Sequence, residues 1–180
     1  MQLVKATALV VTLGTLSIAR ADVAVAEPTA ETLDPQVQID GGLSVIGPAY
    51  EHPITSHIAI GVEGFLFGTY FLPWFDAGQN VKGFGGGIRP TWFRNANGRG
   101  LYIAPYLRIV AVDDESLFGA TDVGFTTGAF VGWAFRIAKK LDLRLGGGLQ
   151  YIRFESDVAD ARITTSTAFV ALDAVIGYRL

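Results

Sequence analysis

The chain predicts an all-β fold, an up-and-down antiparallel barrel of eight strands. Three observations carry the prediction. Apolar and polar residues alternate with period two through most of residues 37–180. Successive side chains of a strand point to opposite faces, so that period marks strands. Glycine is abundant, 22 of 180 residues, beside 12 Phe, 6 Tyr and 3 Trp, and glycine with aromatics in alternating segments is a barrel composition. Turn signals recur between the segments, with short turns at 53–56, 94–100 and 138–140 and longer loops at 71–80, 113–122 and 155–162.

The N-terminus reads differently. Lys5 precedes an apolar run over 6–18, and two small-x-small sites follow, Ala19-Arg20-Ala21 and Ala24-Val25-Ala26. That order is a signal peptide over 1–26, cleaved after Ala21 or Ala26. The apolar run is too short for a spanning helix, which needs about 20 residues. Residues 27–36, with Pro28, Pro35, Glu27, Glu31 and Asp34, are expected to be a flexible lead-in to a barrel over 37–180.

Within 37–52 the parity shifts. Val37 and Ile39 share one parity, and Ile46, Pro48 and Tyr50 share the other. Either a bulge or a turn near 41–47 explains the shift. The remaining strands are read at 57–70, 81–93, 100–112, 123–137, 141–154 and 164–180. With both termini at the short-turn end the strand count must be even, so 37–52 is expected to hold two strands. The turn 94–100 contains Asn97-Gly98, a strong hairpin signal. Pro90 and Pro105 each remove a ladder donor, so a bulge or weak position is expected at each.

The hairpin over 123–151, built around Ala138-Lys139-Lys140, shows what the two faces are. Phe125, Val131, Trp133 and Phe135, with Leu143, Leu145 and Tyr151, form an apolar face. The other face carries glycines with Arg136, Asp142 and Arg144. Along the chain the apolar face places Tyr50, Trp92, Trp133 and Tyr178 near the short turns or C-terminus, and Phe84, Phe125 and Tyr151 at the opposite strand ends. Phe84 to Trp92 is eight residues, about 26 Å of strand, or about 20 Å of depth at a tilt of about 40°. Two aromatic girdles at that spacing suit a membrane-spanning barrel with its apolar face to lipid. The opposite face gathers Glu51, Glu63, Arg89, Arg108, Arg136, Asp142, Arg144, Asp173 and Arg179. Such charges do not form a sealed apolar core, but they fill a narrow lumen as pairs. Tyr102, Tyr106, Phe65 and Phe169 help to fill it. Glu63 and Arg89, on neighbouring strands at similar heights, are expected to pair.

The order and spacing of GPAYEHPITSHIAIGVEG (47–64), GFGGGIRPTWF (83–93), GLYIAPYL (100–107), GAFVGWAF (128–135), LRLGGGLQY (143–151) and VIGYRL (175–180) carry a family resemblance. The chain resembles the small eight-stranded bacterial outer-membrane barrels of the OmpA/OmpX type. The resemblance implies an outer-membrane location, a monomer, contact with membrane lipid and lipopolysaccharide, and insertion by the barrel-assembly machinery. The C-terminal strand resembles the assembly signal in Asp173, Tyr178 and Leu180. It departs from it in ending on Leu180 where Phe is commoner, and in the position of Gly177.

Other chemistry finds little support. A net charge of −3 gives no electrostatic reason for nucleic acid. The absence of cysteine excludes disulfides, thiolate nucleophiles and cysteine-bound zinc. His57, Ser56 and Glu51 can be written as a catalytic set, with His52 nearby, but neighbours in one turn rarely converge. Asp113, Asp114, Glu115 and Asp122 lack the spacing of a calcium loop. The triplets Gly85-Gly86-Gly87 and Gly146-Gly147-Gly148 precede no helix and are not phosphate loops. The expectation is a non-enzymatic barrel with a filled lumen, no cofactor and no metal, in envelope structure or surface interaction. A soluble periplasmic lipocalin-like barrel with an apolar ligand, and an outer-membrane lipid-modifying enzyme, are the alternatives.

Overall fold

A computed structural model describes residues 33–68, 82–113, 122–158 and 161–180. The signal peptide expected over 1–26, the loop expected at 71–80, and Asp114 and Glu115 lie outside the described residues. Eight strands form a closed barrel in chain order. They are β1 (Gln36–Gly41), β2 (Val45–Pro53), β3 (Ile58–Gly68), β4 (Lys82–Phe93), β5 (Gly100–Asp113), β6 (Asp122–Arg136), β7 (Leu141–Val158) and β8 (Ala161–Arg179). Every neighbour pair is antiparallel, including the closing pair of β1 with β8.

The parity shift in 37–52 is a turn. Gly42 N–H donates to Val45 O at 2.9 Å, β1 folds back on β2, and Val37, Ile39, Ile46 and Tyr50 all face outward. At the other end, the link 94–100 needs left-handed backbone at Gly98 (φ 73°) and Gly100 (φ 80°), which glycine adopts without the Cβ penalty.

Register fixes the barrel's geometry. The paired residues run from Tyr178 through Val37, Tyr50, Val62, Ile88, Leu107, Thr127 and Tyr151 to Ala168. One circuit thus returns to β8 displaced by 178 − 168 = 10 residues. A shear of ten over eight strands corresponds to a tilt of about 40°, with an interior just wide enough for side chains.

The two prolines share one weak position. The β4–β5 register is continuous, but its pairing is interrupted between Ile88↔Leu107 and Trp92↔Ile103. Pro90 and Pro105 fall opposite each other in that gap. Neither has an N–H to give, so one gap serves both and no bulge forms.

Of the loop expected at 155–162, the described residues 155–158 and 161–162 are strand instead. β7 and β8 stay paired to Val158↔Ala161. The run 155–162 carries Glu155, Ser156, Asp157 and Arg162, and polarity alone suggested a loop; pairing of Glu155 and Ser156 with the β-branched Thr164 and Ile163 extends the ladder instead. The link 42–44 between β1 and β2 is also tight, so the links at this end are not uniformly long.

The lead-in is not loose throughout. Leu33 is buried against the barrel end that holds the short turns, next to Gly98. Leu180 N–H donates to Pro35 O at 3.0 Å, and Gln36 already belongs to β1.

The outer face is apolar. Val62, Ile88, Leu107, Val131, Leu145 and Leu172 are all exposed, from 45 to 52%, and they come from six different strands. Among the described residues no charged side chain points outward between the two aromatic rings. Inside, polarity changes along the strands. From the short-turn end, β7 carries Asp142 and Arg144, then Ile152 and Phe154; β5 carries Tyr106 and Arg108, then Val110 and Val112. The far end of the lumen is an apolar tier of Val45, Phe65, Phe67, Val110, Val112, Ile152 and Phe154, with Phe169 against it.

Candidate functional site: the lumen charge network

Alternation turns one residue in two of each strand inward, and closure makes those residues neighbours across the barrel. Arg89 on β4 donates from Nη1 to Asp40 Oδ2 at 2.7 Å and to Asp173 Oδ1 at 3.2 Å. Its Nη2 donates to Gln38 Oε1 at 3.2 Å. Tyr102 donates its hydroxyl to the other oxygen of Asp173 at 2.5 Å. Arg108 on β5 holds Glu63 with two bonds, Nε to Oε1 at 2.6 Å and Nη2 to Oε2 at 2.9 Å, and also reaches Asp40 at 2.9 Å.

A second set lies nearer the short turns. Arg144 grips both oxygens of Glu51, at 2.7 and 2.5 Å. Asp142 accepts from Gln36 Nε2 at 2.7 Å, Arg179 Nε at 2.7 Å and Arg136 Nε at 3.4 Å. Arg179 also meets Asp34 at 3.3 Å and the Asn97 carbonyl at 3.1 Å. Gln38 Nε2 donates to Gln36 Oε1 at 3.2 Å and links the two sets. Guanidinium planes lie over aromatic rings, Arg108 over Tyr106 at 4.5 Å and Arg144 over Phe93 at 4.7 Å, which adds cation–π attraction.

The structure therefore brings Glu51, Glu63, Arg89, Arg108, Arg136, Asp142, Arg144, Asp173 and Arg179 into one lumen. The expected Glu63–Arg89 pair does not form. In register Glu63 lies opposite Gly87, which lies opposite Arg108. Arg108 thus reaches Glu63 across β4, over a residue without a side chain. Arg89 lies opposite Gly61, and its guanidinium extends across the lumen to β1 and β8.

Asp40, Gln36 and Gln38 were not anticipated. The signal was present: Gln36, Gln38 and Asp40 alternate with Val37 and Ile39. It becomes legible once β1 and β2 are separate strands. With Asp40 the acids Asp40, Glu51, Glu63, Asp142 and Asp173 match the five arginines in number. Each of the five carboxylates accepts from at least one guanidinium, so the network acts as a brace.

The girdle residues stand on the outer face. Tyr50, Phe84, Trp92, Phe125, Trp133 and Tyr178 are exposed. Tyr151 is half-exposed, its hydroxyl 2.6 Å from Ser166 Oγ and its ring 6.0 Å from that of Phe125. The His57, Ser56 and Glu51 set does not converge. Glu51 points inward to Arg144, Ser56 is exposed, and His57 Nδ1 lies 2.9 Å from the Phe93 carbonyl. His52 pairs with the Tyr50 hydroxyl at 3.2 Å.

Compared with family models, curated proteins and solved structures, the chain matches none.

Proposed function

We propose that this chain is a non-enzymatic integral outer-membrane β-barrel with a filled lumen. Its role is envelope structure or surface interaction. One observation carries the reading: the polarity is inverted. The exposed outer face is a belt of aliphatic residues between two aromatic rings, and among the described residues ten charged side chains of balanced sign lie inside, nine buried and Arg136 half-buried. Water-soluble proteins rarely expose contiguous apolar patches above a few hundred Å², whereas a barrel in lipid requires such a belt. The ion pairs leave each lumen carboxylate neutralised, which favours a plug over a pathway. Membrane lipid and lipopolysaccharide are the partners of the belt, and the barrel-assembly machinery is the partner of β8.

The apolar tier at the far end of the lumen favours a second reading, a soluble lipocalin-like barrel. Fractionation of a Gram-negative host expressing the full chain separates the two. The membrane reading expects the protein to sediment with outer membranes and to be released only by detergent. Recovery in the periplasmic supernatant without detergent would sink it.

A further inference from the structure

β1 is the shortest strand, and its turn lies low in the wall. It pairs with β8 only as far as Gly41↔Ala174, while β8 continues away from the short turns to Ala161. On the other side Gly68 N–H donates to Ser44 O at 2.9 Å and holds the turn against β3. A cavity of about 430 Å³ opens at this low rim, lined among the described residues by Leu43, Val45, Ile46, Leu66 and Phe67, with Lys82 the charged one among them.

The lining comes from both faces of the wall. Ile46 and Leu66 are exposed on the outer face, whereas Val45 and Phe67 belong to the inner apolar tier. The cavity therefore connects the apolar belt to the apolar end of the lumen over the β1–β2 turn. Its volume lies in the range of small-molecule sites, roughly 300–1,000 Å³. An occupant suited to it is narrow, flexible and apolar along its length, with any polar end at the rim beside Lys82.

We propose that this cavity binds one unbranched alkyl chain, of a long-chain fatty acid or of a membrane lipid, entering across Ile46 and Leu66. The alkyl character rests on the lining alone. Entry from surrounding lipid rests on the outer-membrane reading.

The absence of cysteine makes a single reporter specific. The mature chain is folded in nanodiscs with a bimane on Leu43→Cys, and in a second sample on Ile88→Cys on the outer face. Both are titrated with 16-doxyl-stearate and, separately, with doxyl-labelled phosphatidylcholine. The expected result is quenching at position 43 that saturates near one probe per protein, with unsaturable quenching at position 88. Saturation with the free acid alone assigns the site to fatty acids; saturation with both assigns it to acyl chains in general. Val45→Trp, or Leu66→Trp should the first fail to fold, fills the cavity and should weaken the saturable binding at least tenfold. Parallel, unsaturable quenching at both positions, or blocking variants that bind like the parent, overturns the proposal. Should the chain prove soluble without detergent, the same titration in buffer still decides the cavity, and only the membrane reading fails.

Discussion

Arg108 and Glu63 are joined by two hydrogen bonds, at 2.6 and 2.9 Å, although they stand on β5 and β3, which are not neighbours. The strand between them presents Gly87 at their level. A Cβ there would come within 2.7 Å of Glu63 Oε1 and 2.8 Å of Arg108 Cγ. The glycine is the gap through which the pair closes.

Gly87→Ala should therefore destabilise the barrel, while Gly64→Ala should be nearly silent, because a Cβ at Gly64 meets nothing closer than 3.9 Å. Glu63→Ala leaves Arg108 short of one carboxylate in a buried site and should cost on the order of 3–5 kcal/mol. Replacing both partners by apolar residues, Glu63→Leu with Arg108→Met, should recover much of that loss. Urea unfolding in lipid vesicles measures all four variants. Equal stability of Gly87→Ala and Gly64→Ala would show that the gap is not needed.

Leu145 is 49% exposed on the outer face, between the two rings. Thr164 is exposed on β8, beyond Ser166, the partner of Tyr151 in the far ring. A charge at mid-bilayer on a barrel's outer face costs about 2–4 kcal/mol, falling to about 0–1 near the interface. Leu145→Arg should thus impair folding into bilayers strongly and Thr164→Arg hardly at all. Equal effects would count against a lipid-facing belt.

The lumen should not conduct. Arg89, Tyr102 and Phe130 are each at most 2% exposed within it, and an eight-stranded interior is filled by its side chains. Pure protein in planar bilayers should give no steady current. Porin-scale conductance from the wild-type chain would refute the filled lumen and move the function to transport.

Leu33 is 6% exposed, and its Cδ1 fills the space where Gly98 would carry a Cβ. Leu33→Ala should cost about 2 kcal/mol, the low end for removing a buried leucine near a surface. Limited proteolysis of the folded barrel should then cut the lead-in faster. Unchanged stability and cleavage would return residues 33–35 to the status of a loose linker.

The sequence by itself determined which face of each strand is apolar and where the aromatics fall. Alternation is a local property, and Phe125, Trp133, Leu145 and Tyr151 obey it whatever their strands later pair with. It also required an even number of strands, which β1 and β2 supply. The persistence of β7 to Val158 and of β8 from Ala161 was hidden, because Glu155, Ser156, Asp157 and Arg162 read as loop by polarity, while their extended backbone is set by pairing across the hairpin.

Only the closed tertiary structure decided which charges meet. Arg89 reaches Asp40 and Asp173, 49 and 84 residues away in sequence, because closure with a shear of ten sets β1 and β8 across the lumen from β4. Arg108 reaches Glu63 because Gly87 happens to be level with both. Those levels are fixed by turn lengths and strand register summed around the whole barrel, a non-local quantity that no window of the sequence contains.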